Sequence, residues 1–175
     1  MVTLRCTAKL LRRLGASDSD APPSGQLGDW YANVVATRPR HLVLCTNART
    51  LLCVVVPLAP QAQLTERFVT AARARLTQIP VVPALLLSEM EALTNVHFGR
   101  ATNRSVLGSM REFGYAVQSW LKTRSADDLD ALGLWLCDTP CSPLETHWPW
   151  LEAELVLAGS VAPGRRPLKF PAHVI

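Results

Sequence analysis

The sequence lacks any apolar run approaching the roughly 20 residues that span a bilayer, so a membrane protein is not expected. It also lacks the glycine-rich loops that hold nucleotides and the Gly-x-Ser-x-Gly turn of serine hydrolases. The first fifteen residues contain no long apolar core followed by a small-residue cleavage site, so no secretory signal is predicted. These absences predict a cytoplasmic protein outside those enzyme classes.

Charged residues make up only 18% of the chain and hydrophobic residues 49%, which is typical of a globular core and excludes general disorder. The net charge of +4 comes mainly from residues 159–175, which carry three basic residues and no acid. A basic tail can contact phosphate groups, so nucleic acid stays open as a partner, although a solvated chain end is the simpler reading. We expect one domain over residues 1–158 and a loose basic tail over 159–175.

The five cysteines form no disulfide framework. Three of them lie inside apolar stretches, where cysteine behaves as a small buried hydrophobe: Cys6, Cys45 and Cys53. Cys137, Cys141 and His147 supply only three metal ligands, at a spacing that matches no common zinc pattern. We therefore predict no metal site and no cofactor.

Alternating and apolar runs predict strands over residues 2–6, 30–36, 41–45, 50–56 and 95–100. Short turns join the second, third and fourth of these, which predicts an antiparallel three-stranded meander. The run over residues 50–56 is almost wholly apolar, as expected of a central strand covered on both faces. Small and polar residues with two prolines predict a mobile loop over residues 16–26.

Helical periodicity appears after the meander, over residues 64–78, 84–93 and 126–137 and from Ser105 onward. In the helix from Ser105, one apolar stripe repeats every three or four residues and is expected to face the core: Val106, Met110, Phe113, Val117 and Trp120. The sequence thus predicts a single α+β domain. We expect an antiparallel sheet of about four or five strands around a central meander, with helices packed largely on one face.

Three short motifs occur in a fixed order: Trp-x-Ala-Asn at residues 30–33, Thr-Asn-x-x-Thr at residues 46–50, and Asn-Arg-Ser-Val-Leu-Gly-Ser-Met at residues 103–110. Together they resemble an uncharacterised bacterial family, the domain of unknown function 6933. The resemblance covers roughly residues 2–121 and implies a related fold. It implies no activity.

Polar residues cluster at the predicted turns and at one helix start: Asn33, Asn47, Thr50, Asn103, Arg104 and Ser105. If these ends converge, the free N–H groups of the helix start and the Arg104 guanidinium form a pocket for a phosphate or carboxylate. The alternative is that these side chains only cap their own backbone, and that Arg104 pairs with a nearby glutamate. The predicted function is a non-catalytic binding or interaction module whose ligand is an anionic small molecule or another protein.

Two other functions stay open from the sequence. His97 is the candidate acid–base residue of a ribonuclease-like site that would use Arg104 to stabilise charge. A purely structural partner protein is favoured if Trp148 and Trp150 form an exposed apolar patch.

Overall fold

The computed structural model describes residues 1–18, 22–124 and 128–159, and within them six α-helices flank a five-stranded sheet. The strands are β1 (Val2–Cys6), β2 (Trp30–Val35), β3 (Leu42–Asn47), β4 (Cys53–Pro57) and β5 (Val96–Arg100). The helices are α1 (Ala8–Leu14), α2 (Leu64–Thr77), α3 (Pro83–Ala92), α4 (Arg104–Thr123), α5 (Leu129–Cys137) and α6 (Pro149–Ala158). The predicted α+β class is confirmed.

Two predicted segments fall wholly or partly outside the described residues. The tail beyond Gly159 is outside them, as are residues 19–21 of the loop predicted over 16–26. Residues 125–127, where the last predicted helix was expected to begin, are also outside, and α5 is described from Leu129.

The sheet is mixed, so the prediction of an antiparallel sheet was only partly right. Its order is β4-β3-β2-β1-β5, and β2, β3 and β4 form the predicted antiparallel meander. β1, however, runs parallel to both β2 and β5. Parallel neighbours need a crossover connection, and α1 supplies one between β1 and β2, while α2 and α3 lie between β4 and β5. The position of β1 between β2 and β5 follows from these two parallel pairings, which join segments far apart in the chain.

Helices cover both faces of the sheet, which corrects the prediction that they pack largely on one. Neighbouring residues of a strand point to opposite faces. On β2, the Trp30 ring lies 5.5 Å from the ring of Phe68 on α2. The next residue, Tyr31, accepts a hydrogen bond through its hydroxyl from the N–H of Asn103, immediately before α4 (3.3 Å). α2 and α4 therefore lie on opposite faces.

β4 is an edge strand, not the central strand that its apolar sequence suggested. The prediction that both of its faces are covered is correct, because Val54, Val55 and Val56 are each no more than 4% exposed. The strand begins later than predicted, since Leu51 has a φ of +55° and belongs to the turn. The sequence of an edge strand can resemble that of a central strand when helices cover both of its faces.

α4 places its whole predicted stripe in the core: Val106, Met110, Phe113, Val117 and Trp120 are all buried. Burying each such side chain stabilises the fold by about 1.5–3 kcal/mol relative to leaving it in water. This burial holds the polar beginning of α4 against the sheet, beside Tyr31 of β2.

Candidate functional site

The beginning of α4 is fastened by its own cap. Asn103 accepts hydrogen bonds through its side-chain oxygen from the N–H groups of Ser105 (3.0 Å) and Val106 (3.3 Å), which is the capping alternative considered for these polar side chains. The N–H of Asn103 is taken by the Tyr31 hydroxyl. Of the N–H groups that a helix start leaves without a partner, that of Arg104 is the one to which the described residues offer no acceptor. The cap therefore already satisfies most of the donors that an anion would use.

The side chain of Arg104 is exposed, and no hydrogen bond or ion pair joins it to any residue in the described ranges. None of the glutamates in these ranges forms an ion pair with Arg104. Glu89 accepts from the N–H groups of Gln26 and Leu27, and Glu112 lies 3.7 Å from Arg111. The positive charge of Arg104 is thus not explained by the fold.

Asn33 lies on β2, two residues beyond Tyr31 and on the same face of the sheet. Its side-chain oxygen accepts a hydrogen bond from the Thr7 hydroxyl at 3.1 Å. Thr7 precedes α1, but its side chain makes no cap hydrogen bond to that helix and instead joins β1 to β2. Asn33 and the start of α4 therefore flank Tyr31 on one face.

Asn47 and Thr50 belong to a different place. The Asn47 amide donates to the carbonyls of Leu27 (3.0 Å) and Asp29 (3.3 Å). Its oxygen accepts from the N–H groups of Arg49 and Thr50 and from the Thr50 hydroxyl, at 3.0–3.1 Å. Asn47 and Thr50 are both fully buried. Their polar atoms are used by the β3–β4 turn, so the six predicted ligand residues fall into two groups.

A cavity of about 450 Å³ runs beside the first three turns of α4 and ends against the segment after α5. Small residues spaced three and four apart on α4 open it: Ser105, Gly108 and Ser109. A Cβ added at Gly108 would meet no atom within 4 Å, so no neighbouring backbone requires this glycine. Arg111 lines the cavity on the helix side and Ser142 on the other.

Apart from Ser105, none of the residues that line this cavity was predicted from the sequence as a ligand residue. The small-residue spacing on α4 was a usable signal, but the opposite wall comes from residues 139–143, more than twenty positions further along the chain. Arg111 is about 71% exposed, and its contact with Glu112 joins two exposed side chains. Such surface pairs contribute little, so the Arg111 guanidinium is available to a ligand.

His97 lies within β5, paired in register with Thr3 of β1, and is half-buried. No hydrogen bond in the described ranges orients its ring. Trp150 is 1% exposed and donates from its ring N–H to Asp138 (3.1 Å), while Trp148 is half-buried. These two tryptophans do not form the exposed patch that a structural partner protein would have shown.

All five cysteines are buried and unpaired. Burial raises the pKa of Cys6 to about 12 and that of Cys141 to about 11, and it also raises the pKa of Cys45, Cys53 and Cys137. Their thiols therefore stay protonated at neutral pH, which disfavours nucleophilic or metal-ligand roles. Across residues 1–18, 22–124 and 128–159, no three His, Cys, Asp or Glu side chains form a group able to hold a metal ion.

Within the same residues, none of the helices combines the length and apolarity that crossing a bilayer requires. The family model of DUF6933, a domain of unknown function, matches residues 3–152. The chain therefore belongs to this family, and the resemblance of the three motifs is confirmed. No curated protein sequence matches the chain.

Proposed function

We propose that the protein is a non-catalytic cytoplasmic binding module that holds a small anion at the beginning of α4. The observation that carries the proposal is the exposed Arg104 guanidinium, which has no partner within the described residues and follows the Asn103 cap. The adjacent residue, Ser105, opens the cavity beside α4. A positive charge at a helix start, next to a cavity with hydroxyl groups, suits a phosphate or a carboxylate.

The cap changes how such an anion would be held. Because Asn103 and Tyr31 take three of the first N–H groups of α4, the backbone offers mainly the N–H of Arg104. The guanidinium groups of Arg104 and Arg111 therefore supply most of the attraction for the anion. Arg104 and Arg111 are seven residues apart, so they lie on one line of the helix surface, about 10 Å from each other along its axis.

The remaining predicted ligand residues take supporting roles in this proposal. Asn33 lies beside the site through Tyr31 and keeps its amide N–H₂ group without a partner in the described ranges. Asn47 and Thr50 maintain the β3–β4 turn and do not contact the ligand. Asp18 accepts from the N–H of Arg100, so one negative charge also lies near the end of β5.

The absence of catalysis in the proposal is supported by the chemistry of the candidate groups. A general base needs a second group that orients it, and His97 has none within hydrogen-bond reach in the described residues. The thiols are protonated and buried. A time course with labelled RNA at high protein concentration tests this point, since turnover that disappears in His97→Ala contradicts the proposal.

The binding test is a titration with inorganic phosphate, followed by the backbone amide signals of the protein. We expect shifts at residues 104–109, and a loss of affinity of about tenfold in Arg104→Ala, which corresponds to about 1.4 kcal/mol. Arg13→Ala is the matched control, because Arg13 is an exposed arginine on α1. Equal phosphate affinity in wild type and Arg104→Ala, or no binding by either, removes the anion site. Adenosine monophosphate and a short RNA, titrated in the same way, distinguish a nucleotide or nucleic-acid ligand from a free anion.

A further inference from the structure

The outer edge of β4 borders a second cavity, of about 470 Å³. This cavity shares no lining residue with the cavity beside α4. Its floor is the strand from Val54 to Pro57, and one wall is the face of α2 that carries Thr70, Ala71 and Ala74. The start of α5, at Leu129 and Asp130, contributes the other wall. We call this cavity the edge groove.

The backbone of β4 leaves three hydrogen-bonding groups, on two residues, without a partner in the edge groove. In an antiparallel pair, the N–H and C=O of successive residues point alternately toward the partner strand and away from it. The N–H of Cys53 is bonded to the Cys137 sulfur (3.1 Å), which in turn donates to the Cys53 carbonyl (3.4 Å). The backbone N–H and C=O of Cys53 therefore point away from β3, and Cys137 of α5 satisfies both.

The alternation then assigns the rest of the strand. The N–H of Leu58 donates inward to the His41 carbonyl (3.0 Å), five positions after Cys53, which fits the same phase. Val55 thus points outward with both its N–H and its C=O, and Pro57 points outward with its C=O. Within the described ranges, no residue offers a partner to these three groups.

Two arginines in the walls of the edge groove carry buried Nε–H groups that have no acceptor. Arg75 is 2% exposed and lines the groove; its outer nitrogens bond Gln78 and Asp130, but its buried Nε–H has no acceptor. Arg67 lines the opposite end and holds the carbonyls of residues 58–60, and its buried Nε–H is also unpaired. Such donors cost about 1–3 kcal/mol each, but both nitrogens are buried within the walls, so an occupant of the edge groove does not reach them.

We infer that the edge groove binds an extended peptide segment of a partner protein, which adds to the sheet as a strand beside Val55. An extended peptide is the chemistry that offers N–H and C=O groups alternately along its length, and strand addition at an exposed edge uses this pairing. The groove charges match a neutral segment, because Arg67 and Arg75 are balanced by Glu66 and Asp130. A phosphate or a metal ion would not use the unpaired N–H and C=O of one residue together.

A second copy of the chain fits less well. Val55 is only 3% exposed, so the edge of β4 is recessed between α2 and α5. Pairing two such recessed edges would bring α2 and α5 of both copies into collision. A single extended peptide is narrow enough to enter the space between α2 and α5, whereas the edge of a folded sheet is not.

The test uses the full chain and a neutral fluorescent peptide of alternating threonine and valine, with lysine at one end, glutamate at the other and both termini blocked. The same peptide with an N-methyl group on every backbone nitrogen is the first control, because it cannot donate backbone hydrogen bonds from either of its edges. We expect binding of the unmethylated peptide and at least tenfold weaker binding of the methylated one. In parallel, the Val55 amide should exchange hydrogen more slowly once the unmethylated peptide saturates the protein.

Two variants locate the site on the protein. Ala74→Trp fills the groove from an exposed position of α2, and Ala84→Trp makes the same change at an exposed position of α3 that does not line it. We expect Ala74→Trp to abolish peptide binding and Ala84→Trp to leave it unchanged, with both variants folded by circular dichroism. Equal binding of the two peptides, no binding of either, or retained binding in Ala74→Trp overturns the inference. Protection of Val55 that appears on raising the protein concentration without peptide overturns it in favour of self-association.

Discussion

Asn47 and Asn103 look alike in the sequence, and replacing each by alanine should separate their roles. Asn47 makes five side-chain hydrogen bonds and is fully buried. Asn103 accepts two and is exposed. We therefore expect Asn47→Ala to lower the free energy of unfolding far more than Asn103→Ala.

The magnitude follows from the groups that each change leaves unpaired. Asn47→Ala leaves the buried carbonyl of Leu27 and the buried N–H of Thr50 without a partner. The carbonyl of Asp29 keeps its hydrogen bond from the N–H of Ala48, and the N–H of the exposed Arg49 bonds to water instead. At about 1–3 kcal/mol for each stranded group, the expected loss is about 4 kcal/mol. For Asn103→Ala, a lost helix cap predicts about 1 kcal/mol.

Urea unfolding at matched protein concentration, with a shared slope, measures both losses. Because about 4 kcal/mol is a large part of the stability of an ordinary domain, Thr50→Val serves as a milder change in the same turn, with an expected loss of about 1–2 kcal/mol. The double variant should lose less than the sum of the two, since both changes remove the same bond. If Asn47→Ala costs no more than Asn103→Ala, the turn is not held by this side chain and the assignment of Asn47 to the fold is refuted.

Three further outcomes follow from the structure. Gly108→Ala should raise the unfolding free energy by about 0.5–1 kcal/mol in a thermal melt, because the added methyl meets no atom and alanine favours the helix; a loss of stability would show an unseen contact. Burial raises the pKa of the Glu89 carboxyl, so the folded protein retains a proton that the unfolded chain has already released, and stability falls as pH rises from about 4.5 through the folded pKa. In urea titrations, the stability of Glu89→Gln relative to wild type should therefore increase across that pH interval, and a constant difference would contradict the burial argument. Finally, Ellman's reagent at pH 8 should react slowly with the five buried thiols of the native protein and rapidly after guanidinium unfolding; fast native labelling would mean that at least one of them is accessible.

Much of the local structure could be predicted from the residues, because periodicity and capping are short-range effects. The stripe from Val106 to Trp120 identified the buried side of α4, and Asn103 identified its first turn. The apolar run before Pro57 identified β4 and its two covered faces. The same run suggested a central strand, because an apolar pattern records coverage by helices and not the position of a strand in a sheet.

The candidate sites divide in the same way. Arg104 and Ser105 were predicted from the sequence because a polar helix start has a recognisable pattern, and their role in binding stays a prediction. The wall at residues 139–143 and the edge groove were not, since each joins elements that lie far apart in the chain. Asn47 illustrates the opposite limit: its residue type suggested a ligand contact, and only the positions of the Leu27 and Asp29 carbonyls showed that its side chain is already used.

The sequence by itself determined most of the helices and strands, which side of α4 is buried, and where the polar turns lie, because these depend on neighbours within about one turn or one hairpin. The tertiary structure alone decided that β1 lies between β2 and β5, that helices cover both faces, and that Val55 is left unpaired at the edge of β4. Strand order and the pairing of backbone groups depend on contacts between residues tens of positions apart, and a local pattern carries no record of such contacts.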